Sequence, residues 1–246
     1  PIPKTAAKPV SVHIPAGPEQ RKPLRGLRRK IAEHMSHSLK TAAHFTHVDE
    51  ADLPDLVALR EAAKEMAKTK GIKLTYLPYI LKAVLAGLKK FPTMNASLDD
   101  EKQEVILKKY YNIGVAVATE EGLIVPVVKN ADRLSLWDLA GEISRLGEAA
   151  RNKKITLEEL KGGTFTLTNI GSIGGVMSAP IINTPEVAIM GLHAIKPRVV
   201  VKEGKMVIRL MMYLSVSADH RVVDGAEVAA FCKEVITLLE KPAELY

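Results

Sequence analysis

Apolar residues recur at every fourth position from Leu27 through Ile31 and Met35 to Leu39, which predicts a helix with one apolar stripe. The following segment, HFTHVDEADL, reads as a strand. Asp52 and Pro54 open a second helix and Gly71 closes it. Thr75 caps a third, apolar helix that runs through Leu88 and ends at Phe91-Pro92. Two extended runs come next, YYNIGVAVA and GLIVPVV, joined by the turn Glu120-Glu121-Gly122. Ser135 starts another helix, and the capping box Thr156-x-x-Glu159 starts a short one. The last third is strand-rich: TFTLTN, EVAIMGL, a hairpin VVVKEGKMVI turning at Glu203-Gly204, and the apolar strand MMYLSVS. A final amphipathic helix runs from Ala226 to about Leu239. Helices and strands mix without an internal repeat or regular βαβ alternation, so the expected class is α+β with a mixed or antiparallel sheet.

Residues 1–22 stand outside this patterning. They hold five prolines and few large apolar side chains, and read as an extended linker ahead of one domain, residues 23–246. A linker in that position points to further protein upstream. Charge divides the same way. Residues 1–30 carry eight basic residues against Glu19 alone, whereas the remaining 216 residues hold 27 basic and 27 acidic ones. The net charge of +7 therefore belongs to the arm. A nucleic-acid-binding domain would spread Lys and Arg over a folded face and interleave aromatic residues, so no nucleic acid is expected as partner. No apolar run reaches membrane-spanning length and no signal-peptide stretch is present, so no membrane association is expected. The single cysteine, Cys232, excludes an internal disulfide framework and fits a reducing, intracellular setting. On the final helix, among Ala229, Phe231 and Val235, it reads as a buried structural thiol.

Chemistry concentrates in two segments. In SADHRVVDG, His220 follows an apolar strand and precedes a helix, on the kind of connection where functional side chains collect. Its imidazole can take and return a proton near neutrality. Asp224 can orient the loop or support the protonated ring, and Gly225 can supply a backbone conformation that other residues resist. The plain alternative is a solvated loop histidine beside an aspartate. In GGTFTLTNIGSIGG, alternation puts Thr164, Thr166 and Thr168 on one face of a strand and Phe165 and Leu167 on the other. The Thr168 hydroxyl at the strand end can donate to a developing oxyanion, and Asn169 can bind a substrate amide. The plain alternative is a half-buried strand with a polar face. Its glycines match neither the phosphate loop nor the dinucleotide fingerprint, which excludes nucleotide hydrolysis and hydride transfer. His34/His37 and His44/His47 are each three apart, but no cysteine or helical His-Glu-x-x-His supports a metal site, and none is expected.

PLRGLRRKIAEHM, KGIKLTYLPYILKA, YYNIGVAVATEEGLIVPVVKNAD, GGTFTLTNIGSIGG, APIINTPEVAIMGLHAIKPR and MMYLSVSADHRVVDGAEVAAF together resemble the catalytic domain of the dihydrolipoamide acyltransferases, from about Pro23 to the C-terminus. These are the core components of 2-oxo acid dehydrogenase complexes. The resemblance implies a two-layer α+β fold of the chloramphenicol-acetyltransferase type that forms homotrimers with the active site at the subunit interface. It implies His220 as general base, Asp224 as an orienting residue and Thr168, from the neighbouring subunit, as oxyanion donor. It further implies Asn169 in the coenzyme A site, Met190 as a gate between the coenzyme A and lipoyl entrances, and Lys70 near the coenzyme A phosphates.

The implied reaction moves an acyl group, acetyl or branched-chain, between the dihydrolipoamide of a separate lipoyl domain and coenzyme A. A succinyl-transferring member and a free-standing acetyltransferase of the same fold are the alternatives. The implied partners are a core of 24 or 60 subunits built from trimers, the lipoyl domain, and the decarboxylase and dihydrolipoamide dehydrogenase components, reached through domains not in this sequence. The implied location is cytoplasmic in a prokaryote and the mitochondrial matrix in a eukaryote.

Overall fold

In the computed structural model, residues 17–245 are described. Residues 17–22 of the expected linker are exposed and without regular structure, and residues 1–16 lie outside the described residues. The elements are α1 (Gly26–Thr41), β1 (His44–Asp52), α2 (Pro54–Thr69), α3 (Leu77–Lys90), β2 (Ala96–Asp99), β3 (Glu104–Leu107), β4 (Ile113–Val115), β5 (Val117–Thr119), β6 (Gly122–Ile124), β7 (Val127–Val128), α4 (Leu136–Arg151), β8 (Phe165–Asn169), β9 (Ala188–Leu192), β10 (Lys196–Lys202), β11 (Lys205–Asp219) and α5 (Gly225–Glu240).

The long apolar run at the end of β11 makes it the strand around which the sheet is ordered. The sheet runs β1-β11-β9-β8-β4-β7, with β10 also paired to β11. Residues 211–219 of β11 pair antiparallel with β1, and residues 214–218 pair with β9 on the opposite side. The two strands flanking β8, namely β4 and β9, run parallel to it, so the sheet is mixed. Along β11, Met212, Leu214, Val216 and Ala218 join one core cluster with the buried residues of α3 and α5. Ser215 and Ser217 alternate with them and face the other side. There Ile189 of β9 packs with Ala42 and Ile182, and the Ser38 hydroxyl of α1 donates to the Ile182 carbonyl at 2.6 Å. The sheet therefore has one apolar face under helices and a second, more polar face covered by α1 and the segment before β9.

Several local expectations meet their physical basis here. Ser135 and Asp138 form a reciprocal capping box at the start of α4. Glu203 and Gly204 both take positive φ, 53° and 76°, as a two-residue turn between β10 and β11 requires. Cys232 is fully buried on α5, and burial pushes its thiol up to about 12.

Other expectations are corrected. Asp52 does not cap α2; it accepts from the Arg209 guanidinium at 2.8 Å. The α1 stripe is only half-buried and Leu39 is exposed, because α1 lies at the surface and covers the polar face of the sheet. Thr164 and Thr166 are not on a half-buried polar face. Both are buried, since β8 is interior to the sheet and covered on both sides. The hairpin β2–β3 lies outside the expected elements: β3 carries Val105, Ile106 and Leu107 in a row, yet all four of its residues are exposed.

Candidate active site

His220 leaves the end of β11 and is exposed. Its backbone N–H donates to the Ala43 carbonyl at 2.8 Å, and its ring leans on Phe45 with centroids 4.4 Å apart. Neither ring nitrogen hydrogen-bonds to another described residue, so both are open to a substrate. Asp219, the last residue of β11, is 3% exposed and held by several donors. Its carboxylate accepts from the Ala43 and Arg221 backbone N–H groups, both at 3.1 Å, and from the Arg221 guanidinium at 2.7 Å. Burial pushes the Asp219 carboxyl up, but the bonds from Arg221 and Ala43 outweigh it and leave the group below its ordinary range.

Asp224 is the N-cap of α5, its carboxylate accepting from the Glu227 N–H at 3.3 Å. It thus fixes the angle at which the His220 loop enters the helix. Gly225 does not have the special backbone expected of it. It is the first residue of the helix, is absent from the positive-φ glycines, and has open space where a Cβ would stand.

Thr168 lies at the C-terminal end of β8, half-buried, on the face away from α3 and α5. Its hydroxyl makes no hydrogen bond to a described residue. Asn169 turns its carbonyl back to accept from the Gly171 N–H at 2.9 Å. Gly171 is required there: a Cβ would stand 2.5 Å from the His193 carbonyl oxygen.

The sheet register separates these two ends. Thr168 pairs with Gly191, and Gly191 pairs with Ser215, five residues before His220. Five residues of strand and two strand spacings put Thr168 and His220 about 20 Å apart within one protomer. No rotamer of the two side chains closes that gap.

Asn169 lines two adjoining cavities, of about 340 Å³ and about 420 Å³, which share Thr75, Leu77, Asn169 and Ser172. The larger is edged by two cations, Lys73 and Arg151. Lys70 lines neither cavity. It is the C-cap of α2, with its ammonium 5.7 Å from the Trp137 ring centroid, because α2 ends before the chain turns toward the cavity. Met190 is also displaced from its expected role. Its partner across β8 is Leu167, so strand alternation buries it completely in the helix-side core, opposite the Thr168 face.

Sequence reasoning passed over Lys73, Arg151, Asp219, Arg221 and Glu186. An acid and a base flanking His220 were a visible signal; so was a glutamate opening the apolar run EVAIMGL. Glu186 is 5% exposed, accepts from the Asn183 amide at 3.0 Å, and is pushed up to about 8 by burial, partly offset by hydrogen bonds with Thr166 and Asn183. Among the histidine pairs, His34 Nε2 meets the Asn183 amide oxygen at 3.1 Å, and His44 Nε2 accepts from the Ile182 N–H at 3.1 Å.

The family model described as 2-oxoacid dehydrogenases acyltransferase (catalytic domain) matches residues 16–246. The chain belongs to this acyltransferase family. It is 47% identical over 236 residues to the dihydrolipoyllysine-residue acetyltransferase component of the pyruvate dehydrogenase complex of Bacillus subtilis, covering 95% of this chain and 53% of that one. It is also 47% identical over 224 residues to the lipoamide acyltransferase component of the branched-chain alpha-keto acid dehydrogenase complex of Pseudomonas putida, covering 91% and 53%. The chain thus spans about half the length of the curated relatives it matches.

Among acyltransferase structures, it superposes on the cubic core of the pyruvate dehydrogenase multienzyme complex with a TM-score of 0.91 at 39% identity, covering 99% of both chains. It superposes on Azotobacter vinelandii dihydrolipoamide acetyltransferase, studied for the catalytic roles of a serine, a histidine and an asparagine, with a TM-score of 0.90 at 40% identity, covering 93% and 94%. A likeness to chloramphenicol acetyltransferase, with a TM-score of 0.51 at 17% identity over 89% and 99% of the two chains, shows the shared α+β fold.

Proposed function

We propose that the chain transfers an acyl group between dihydrolipoamide and coenzyme A, with His220 of one subunit and Thr168 of its neighbour forming each active site. The observation that carries this reading is the distance of about 20 Å between two open polar groups, which a second copy of the chain must bridge. The relative's catalytic residues support it. In the Azotobacter protein the serine precedes the histidine by 52 positions and the asparagine follows by four. Thr168 precedes His220 by 52, and Asp224 follows by four. Each substituted pair preserves the needed chemistry. Threonine and serine both offer a hydroxyl donor, and asparagine and aspartate both cap a helix. Asp224 therefore serves as an orienting cap, not a proton carrier.

A free thiol with a pKa near 8.5 is mostly protonated at neutral pH, roughly 97%. His220 takes its proton, the sulfur attacks the thioester carbonyl, and a tetrahedral oxyanion forms. The Thr168 hydroxyl donates to that oxyanion. The intermediate then collapses, the other sulfur leaves, and the imidazolium returns the proton to it. One thioester is formed as one is broken, so no acyl-enzyme is needed. The Asn169 cavities suit coenzyme A in size and charge, with Lys73 and Arg151 placed for its phosphates and Asn169 for its amides.

The acyl group is acetyl or branched-chain, as in the two relatives named above, and the lipoyl group arrives on a separate domain. The trimer assembles further into a core, supported by the likeness to the cubic core; the bacterial relatives support a cytoplasmic setting. The test is complementation. His220→Ala and Thr168→Ala chains are co-expressed in equal amounts and assayed for acyl transfer. Random mixing restores about a quarter of the sites, because some interfaces pair an intact His220 with an intact Thr168. A mixture no more active than either variant alone overturns the shared site. Relative rates with acetyl-, isobutyryl- and succinyl-coenzyme A then assign the acyl group.

A further inference from the structure

The residues on either side of His220 are bound to each other. Asp219 Oδ1 accepts from the Arg221 backbone N–H at 3.1 Å and from Arg221 Nε at 3.0 Å, while Oδ2 accepts from Arg221 Nη2 at 2.7 Å. The remaining guanidinium nitrogen, Nη1, donates to Asp100 Oδ1 at 2.7 Å, on the far side of the β2 hairpin end. Ala43 is engaged twice. Its N–H donates to Asp219 Oδ1 at 3.1 Å, and its carbonyl accepts from the His220 N–H at 2.8 Å. The peptide carrying the imidazole is therefore fastened before it, after it and at its own nitrogen. Among the described residues the ring leans on Phe45 and makes no hydrogen bond. With no described side chain hydrogen-bonded to the ring, its direction depends on the backbone beneath it and on the Phe45 contact.

We propose that Arg221 is a positioning residue for the acyl transfer: its fork on Asp219, braced by Asp100, fixes the backbone of His220 and thereby the direction of the imidazole. The inference rests on His220 being the base. It assigns to the residue after the histidine the direct fastening of the His220 backbone, beside the loop-to-helix cap that Asp224 makes. Asp219 and Arg221 touch no reacting atom in this account. The bidentate arm from Arg221 to the nearly buried Asp219 carries most of the effect, and the exposed arm to Asp100 carries less.

The experiment compares Arg221→Gln, Arg221→Lys and Asp100→Asn in the assembled protein, measuring kcat, KM for coenzyme A and the folded fraction, and determines the crystal structure of Arg221→Gln. The expected result for Arg221→Gln is a kcat about 10–100-fold lower with KM unchanged, since displacing a catalytic group by about 1 Å costs up to about 100-fold. Arg221→Lys recovers only part, because an ammonium cannot reproduce the fork. Asp100→Asn loses less than about fivefold, as an exposed ion pair is weak. The structure shows the His220 ring displaced or in several conformers.

A loss of activity that matches the loss of folded protein, a rise in KM without a fall in kcat, or an unmoved ring overturns the proposal. Should Arg221→Gln not fold, Arg221→Lys carries the same kcat and structural comparison. A wild-type protein without transfer activity would refute the base assignment instead. In that case the ring position in the variant still decides the clamp.

Discussion

The end of β11 and the end of β8 are held in place by opposite means. At the end of β11, ionised groups hold the chain around a free imidazole: Asp219 is buried but charged, and Arg221 and Ala43 satisfy it. At the end of β8, uncharged packing holds a free hydroxyl; the carboxyl that β8 does meet, Glu186, lies by Gly163 at the strand's opposite end and is pushed up to about 8. In the proposed reaction a base is aimed across a subunit boundary at a proton, and a polar clamp on its backbone would serve that. The oxyanion donor proposed at Thr168 would need only a fixed strand end, which sheet register already supplies.

The sharpest way to break this comparison is to remove the two free groups in turn. His220→Ala should lower kcat about 10²–10⁴-fold while trimers remain intact by light scattering; full activity would refute the base assignment. Thr168→Ala should lower kcat about 10²–10³-fold with little change in KM for coenzyme A, and a pure binding defect would refute the oxyanion role. Thr168→Ser keeps the hydroxyl and should retain most of the rate.

The two carboxyls give opposite slopes of stability against pH. Glu186 keeps its proton in the folded state up to about 8, whereas unfolded glutamate releases it near 4.3. The folded state then binds more protons in that interval, so stability falls as pH rises through it, by a few kcal/mol in denaturant titrations. Glu186→Gln should flatten that fall. Asp219 acts at the acid end. Its folded value is depressed, so its contribution is present above about 3.9 and is lost as pH falls further. The smallest effect belongs to the cap: Asp224→Asn should be nearly silent, and Asp224→Ala should cost about 1 kcal/mol of stability.

Much of this was visible in the pattern of the chain. The strands around β11 and the helices α3 and α5 carry strong apolar periodicities, and both segments that bear the candidate residues fall where expected. What the sequence could not show depended on pairing. Whether Met190 faces a channel or the core follows from strand alternation once β9 lies beside β8. The separation of Thr168 from His220 follows from two registers that no single segment encodes. Lys70 and Lys73 differ by less than one helical turn in sequence, and only the end of α2 decides which reaches the cavity. The hairpin β2–β3 escaped because its apolar run, Val105–Leu107, is only three residues long and does not alternate with polar ones.

Cys232 is the chain's single thiol, fully buried on α5. The proposed transfer of acyl groups from sulfur to sulfur would expose a catalyst to side reactions with its own cysteines, by self-acylation or by mixed disulfides with a lipoyl carrier. Here that hazard is removed by inaccessibility and by the near absence of thiolate at neutral pH. Folded residues 17–245 therefore present no accessible thiol to thiol-specific dyes. The proposed transfer frees one thiol for each it consumes, so a colorimetric thiol count should stay constant through turnover, and any slow loss reports oxidation of the small-molecule thiols and not of buried Cys232.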